Sequence, residues 1–346
     1  MERNARIRLI ERLVMAHSPS GNEREVDPIV RAEFERFGHK VWQDAAGDMI
    51  CYVEGERAGD GIVVTGHKDE IGMIVKRIGA DGRLRVREVG GAYAWRYGEG
   101  VVDVLGDEEV VSGILSVGAS HTSEETVNVA LAKSEKPLTW DLVYVETKLD
   151  PVVLAERGVH IGSKVVVGRH RKRPFVLGDF ICGYGLDGKV GVAVLIGLAG
   201  RLAERRPPQD VVLVASAAEE IGVFGASYAA RKLDVERLIA LEVGPVADEY
   251  QTVNDARPVL FYQDARGLYD EEMNRDLAEV AEKLNIGVQR ICVSAFGSDA
   301  SYVRSYGLVP KTACVGYPTE NTHGYEIVSL KGIEYVERVV EGYLVQ

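Results

Sequence analysis

Cysteine is scarce. Only Cys51, Cys182, Cys292 and Cys314 occur in 346 residues, and no two share a C-x-x-C spacing. That leaves no basis for a disulfide framework or a zinc–thiolate site, and it fits reduced thiols in the cytoplasm. No apolar run approaches the ~18 residues needed to span a membrane. The N-terminal stretch mixes Arg and Glu into an amphipathic helical pattern and does not read as a signal peptide. Positive charge is in deficit: 41 Lys and Arg against 53 Asp and Glu leave a net charge of −12. Nucleic acid and anionic membrane surfaces are therefore poor partners. The basic run at residues 169–173 reads as a solvated loop. Internal repeats and low-complexity tracts are also absent.

What remains is ordinary for a globular protein, 46% apolar and 27% charged. The length suggests one large domain with a smaller second one. Helical spacing occupies residues 2–16 and 23–37, and strand-like runs occupy 39–53 and 61–65. Between about 72 and 165 short β segments dominate (83–89, 101–105, 110–117, 141–147 and 164–167), as in a small barrel or sandwich. Thr122-Ser123-Glu124-Glu125 offers a capping box for one helix there. Afterwards helices (188–204, 222–232, 270–284, 299–306, 329–344) alternate with strands (210–216, 237–243, 258–263, 288–293, 309–315). The expected architecture is an α/β domain of residues 1–70 and 170–346, with a β domain of residues 71–169 inserted.

The chemistry gathers at strand ends. Val211-Val212-Leu213-Val214 is a buried-looking strand that leads directly to the adjacent carboxylates Glu219 and Glu220. Charges near a core require compensation, and a metal ion is the simplest compensator. His67 follows Ile62–Thr65, Glu242 ends Leu238–Leu241, and His323 follows Val309–Val315. Asp187 precedes a long apolar helix, and its two oxygens could bridge two cations. Each residue alone has a plainer reading as a helix cap, surface acid or loop histidine. Five of them at such positions match the rule that ligands of α/β enzymes lie beyond the carboxyl ends of the strands. Imidazole and carboxylate donors together suit zinc, cobalt or manganese. Glu219 and Glu220 divide naturally into a ligand and a general base. Asp69, two residues from His67, could orient that ring or hold the site's geometry more generally. The remaining histidines (17, 39, 121, 160 and 170) lack this context.

As an ordered set these residues resemble the dinuclear metallo-aminopeptidases of peptidase family 42, the tetrahedral and glutamyl aminopeptidase kind. The resemblance rests on Gly66-His67-Lys68-Asp69-Glu70-Ile71-Gly72, Leu186-Asp187, Glu219-Glu220-Ile221-Gly222, Gly297-Ser298-Asp299-Ala300, and Pro318 to His323 followed by Glu326-Ile327-Val328-Ser329-Leu330. It implies an α/β, mixed-sheet metallopeptidase catalytic domain with an inserted small β-barrel domain. It implies two divalent ions per subunit, zinc or cobalt with manganese possible as a substitute. Asp187 would bridge them, with His67 and Glu242 completing one site and Glu220 and His323 the other. Glu219 would be the general base acting on a metal-bridging water, and Asp69 would support His67. The implied activity is removal of N-terminal residues from short peptides with a free N-terminus, by a homo-oligomer, commonly a dodecamer. Departures from the family pattern are Glu242 for Asp, Gly188-Lys189 after the bridging Asp, and Glu320-Asn321 for Arg-Tyr. The last two pairs are expected to shape the substrate pocket. The alternative is a metal-dependent N-deacylase or dipeptidase of the carboxypeptidase-like families, which would carry an α+β insert; a non-catalytic binding scaffold is a third possibility.

Overall fold

A computed structural model describes residues 1–119, 121, 137–233 and 235–346. The helix expected from the Thr122–Glu125 capping box lies outside these residues. Four strands run parallel in the order Gln209–Ser216, Arg57–His67, Arg237–Pro245 and Lys311–Glu320. Parallel strands are covered on both faces, so they read as continuous apolar runs without alternation. Val211–Ala215 and Leu238–Leu241 have that character and are buried throughout.

Antiparallel strands extend both sides and make a 12-stranded mixed sheet. On one side stand Met49–Val53 and Lys40–Gln43. Here the single expected strand 39–53 is a hairpin. Asp44 turns the chain by accepting the Ala46 and Asp48 amides, both at 2.9 Å, an Asx-type alternative to the ladder. On the other side stand Glu326–Ser329, Phe180–Gly183 and Phe175–Leu177. Val259–Asp264, Gly267–Leu268 and Gln289–Cys292 branch from Lys311–Glu320.

Helices cover both sheet faces, each over its own apolar core, the usual layering for such a sheet. Lys189–Glu204 is buried around most of its circumference, which explains its nearly unbroken apolar sequence. It approaches the sheet where both elements carry glycine: a Cβ on Gly66 would stand 3.1 Å from the Gly191 carbonyl carbon. This contact seats the start of the helix beside the end of strand Arg57–His67.

The chain divides into two compact units, one of Met1–Asp69 with Pro174–Gln346 and one of Glu70–Arg173. The second unit contains a closed, antiparallel six-stranded barrel of Gly72–Ile78, Leu84–Val89, Tyr144–Glu146, Val110–Ser116, Gly100–Leu105 and Lys164–Val167. Val110–Ser116 alternates exposed and buried residues, as a barrel strand must. Among the described residues the insert is built on this barrel and not on an α+β unit. The basic run expected to be a solvated loop is instead a helix, Arg169–Lys172. Lys172 is fully buried and its Nζ lies 2.5 Å from Glu70 Oε1, so a carboxylate remote in the chain draws it inside. Among the described residues, no helix is long and apolar enough to cross a membrane.

Candidate active site

The parallel register brings the strand ends together. Ser216 pairs with His67, and Ala240 pairs with Thr65, two residues before His67. Glu242, two residues after Ala240, therefore arrives beside His67, and its Oε1 lies 3.9 Å from His67 Nε2. Asp187 comes from the turn before helix Lys189–Glu204. Its Oδ1 lies 3.1 Å from His67 Nε2 and its Oδ2 lies 3.3 Å from His323 Nε2. The two carboxylate oxygens thus face different histidines. Glu220 Oε2 is 3.5 Å from the same His323 nitrogen.

Residues 217–220 are held by carboxylates through four consecutive backbone amides. Ala217 donates to Asp48 Oδ1 at 2.8 Å, and Ala218 donates to Glu23 Oε1 at 3.2 Å. Glu219 and Glu220 donate to Asp69 Oδ1 and Oδ2 at 3.0 and 3.2 Å. Ala218 has φ +53°, a left-handed conformation that a non-glycine residue adopts only where its surroundings require it. The kink turns the chain out of the strand so that both glutamate side chains leave from its end. Asp69 also accepts the Ser20 hydroxyl at 2.6 Å. Its nearest approach to His67 Nδ1 is 3.5 Å, too long for a strong hydrogen bond. Asp69 therefore organises the Glu219–Glu220 turn more directly than it orients the ring.

The electrostatics of the site are dominated by crowded acids. Burial, then the charges of Glu242 and Glu220, push the Glu219 carboxyl well above its ordinary range. Burial and Asp187 do the same to Glu242. Burial leads in raising Glu220 to about 7. Asp187 is the exception: burial would raise it, but His323 and His67 hold it down. Burial opposes charge on the histidines too, yet Glu220 and Asp187 lift His323 to about 11, and Asp187 and Asp69 raise His67. Two rings thus face the acids Asp69, Asp187, Glu219, Glu220 and Glu242.

A crowd of buried acids that resist ionising together suits bound cations, and the donors are placed for them. His67, Asp187 and Glu242 offer ligand atoms within 4.8 Å of one another, as do Asp187, Glu220 and His323. The two sets share Asp187. A third set, His67, Glu219 and Glu220, overlaps both. Imidazole and carboxylate oxygen suit zinc, cobalt or manganese, so the residues fit a pair of divalent ions.

The other departures resolve differently. Lys189 is buried and donates to the Ser18 hydroxyl and to the Lys68 carbonyl at 2.5 Å. It braces the backbone between His67 and Asp69, so it is not the pocket-shaping residue expected. Gly188 lies against the His67 ring. Glu320 accepts from Asn254 Nδ2 at 3.0 Å, and Asn321 donates to the Tyr325 carbonyl at 3.2 Å.

Sequence reasoning missed three supporting acids. Glu326 accepts the amides of Leu186, Asp187 and His323, and burial raises it to about 8. Glu23 and Asp48 hold the kinked turn. None carries a local signal as a support of the site, because each acts on at least one backbone amide more than a hundred residues away. Asp299, in the Gly297–Ala300 segment, accepts the Ser216 hydroxyl at 2.7 Å under the site.

Comparison with known proteins gives consistent matches. The profile of the M42 glutamyl aminopeptidases matches residues 47–339. Glutamyl aminopeptidase of Lactococcus lactis subsp. cremoris is 22% identical over 92% of this chain and 90% of its own. The aminopeptidase APDkam598 of Desulfurococcus kamchatkensis superposes with a TM-score of 0.90 at 23% identity, covering 99% of this chain and 95% of that one. The TET1 peptidase of Pyrococcus horikoshii, described as able to assemble into a tetrahedron or a large octahedral shell, gives 0.87 at 22% identity over 99% of each chain.

Proposed function

This chain belongs to the M42 glutamyl aminopeptidase family, and on that premise we propose that it is a two-metal aminopeptidase that removes residues from the free N-terminus of short peptides. The observation that carries the reading is the sharing of Asp187 between two three-residue donor sets, with Glu219 beside both. His67, Asp187 and Glu242 would hold one ion, and Asp187, Glu220 and His323 the other. Zinc or cobalt, with manganese as the alternative, would supply Lewis acidity that acidifies water and polarises the scissile carbonyl.

The chain's own residues do the rest. Glu219 is the general base: it takes a proton from the attacking water and returns it to the leaving amine. Asp69 keeps Glu219 and Glu220 in their separate directions by accepting both amides. The free peptide amine, a cation, is favoured by the acidic surroundings, which restricts cleavage to the N-terminus.

The P. horikoshii TET1 peptidase can assemble into a tetrahedron or a large octahedral shell, and a structure of PhTET1-12s is described as a dodecamer; we propose a homo-oligomer, a dodecamer, for this chain. The four cysteines are free, which suits a reducing compartment such as the cytoplasm. A net charge of −12 gives no support for nucleic-acid or membrane partners.

The test is mass-spectrometric turnover of a short-peptide library, free and N-acetylated, with zinc, cobalt or manganese supplied. Stepwise loss of N-terminal residues from the free peptides alone is the expected result. Release of the acyl group would shift the assignment to a deacylase, and cleavage of neither set would overturn it.

A further inference from the structure

Glu326 is 1% exposed and belongs to none of the donor sets that could hold a metal. Its two oxygens are divided between two distant segments. Oε2 accepts the amides of Leu186 at 2.7 Å and Asp187 at 3.0 Å, while Oε1 accepts the amide of His323 at 3.0 Å. The side chains of Asp187 and His323 meet at 3.3 Å. His323 has φ +58°, a conformation that persists only where the surroundings hold it. The bond from Glu326 to the His323 amide is such a restraint. His67 is seated differently, at the end of a paired strand and against Gly188.

We propose that Glu326 is a positioning residue for one half of the site: it fixes His323 relative to Asp187 and so sets the metal affinity of the Asp187–Glu220–His323 half, while leaving the His67–Asp187–Glu242 half unchanged. The inference rests on the two-ion reading above. The selectivity follows from hydrogen-bond chemistry. In Glu326→Gln, the remaining carbonyl oxygen still accepts the Leu186 and Asp187 amides. The new NH2 group faces the His323 amide and cannot accept from it. Only His323 is released.

The experiment is a calorimetric zinc titration of the metal-stripped full chain, as wild type, Glu326→Gln, Glu326→Asp and His323→Ala. Wild type is expected to bind two ions. Glu326→Gln should keep one at wild-type affinity and bind the other roughly 10–100-fold more weakly, the usual effect of losing such a support. It should thereby match the site lost in His323→Ala. Glu326→Asp keeps two acceptor oxygens on a shorter stem and should lose less. Two wild-type affinities in Glu326→Gln, or two affinities weakened alike, would overturn the proposal. If Glu326→Gln does not fold, the same two outcomes in Glu326→Asp decide it. Fewer than two ions in wild type would instead overturn the two-ion reading itself.

Discussion

Gly188 lies directly against His67: a Cβ at position 188 would stand 2.4 Å from Nδ1 of that ring and 2.4 Å from the His67 carbonyl oxygen. Gly188 also has φ +68°. The family departure at this position is thus matched to the place where the histidine sits. In Gly188→Ala the positive-φ backbone, with ψ −45°, alone costs roughly 1–3 kcal/mol, and the ring and strand end must also move. The expected outcome is a lower thermal midpoint together with weaker zinc binding. Wild-type zinc affinity in a folded Gly188→Ala protein would show that His67 does not depend on this contact.

Glu219 stands beside both donor sets, and in the proposed mechanism it carries the proton. Glu219→Gln keeps the side-chain shape and the backbone amide bound to Asp69. Turnover of a free peptide should fall about 10²–10⁴-fold, the range for a lost general base, with bound metal content unchanged. Paired measurements of kcat and metal stoichiometry check this. Retained activity would remove Glu219 from that role.

Asp69 accepts three donors at once, from Ser20, Glu219 and Glu220. In Asp69→Ala all three lose their acceptor inside the protein. With unsatisfied buried donors costing about 1–3 kcal/mol each, denaturant unfolding should show a stability loss of at least about 3 kcal/mol. Activity should fall further than stability explains, because Glu219 and Glu220 are no longer held in separate directions.

Away from the site, Glu337 is fully buried and meets Arg6 at 2.8 Å and Arg201 at 2.6 Å. Burial would raise its carboxyl, but Arg6 and Arg201 hold it below its usual value. A depressed folded-state value means that the ionised form stabilises the fold. That contribution is complete above the ordinary glutamate range and is lost as pH falls through the depressed one. Glu337→Gln should flatten this acid-side loss. At neutral pH it should cost about 3–5 kcal/mol, because buried Arg6 loses its charged partner. Unfolding midpoints measured between neutral and acid pH would show both effects.

Much of the fold is legible locally. Unbroken apolar runs such as Val211–Ala215 mark parallel strands because both faces are covered, and the apolar Lys189–Glu204 segment marks a central helix for the same reason. Where the local reading failed, one carboxylate decided each case, remote in the chain for Lys172 and close by for the hairpin. Lys172 is buried rather than solvated because Glu70 takes its charge in the barrel unit. The run 39–53 breaks into a hairpin because Asp44 supplies an acceptor that the ladder does not.

The seven proposed site residues are recoverable from their positions at strand and helix ends, since chain order already says which residues leave a buried strand. Their supports are not. Glu23, Asp48 and Glu326 each act on backbone amides far away in the chain, Glu326 also on the nearby His323 amide, and a backbone amide has no signature in a one-dimensional pattern. The sequence alone determined the donor types, their order and the alternation that places them at one edge of a sheet. Only the tertiary structure decided which oxygen of Asp187 meets which histidine, that Ala218 must kink, and that three buried acids hold the turns in place. Those outcomes depend on distances of about 3 Å between remote segments, where hydrogen bonds form or fail within a few tenths of an ångström.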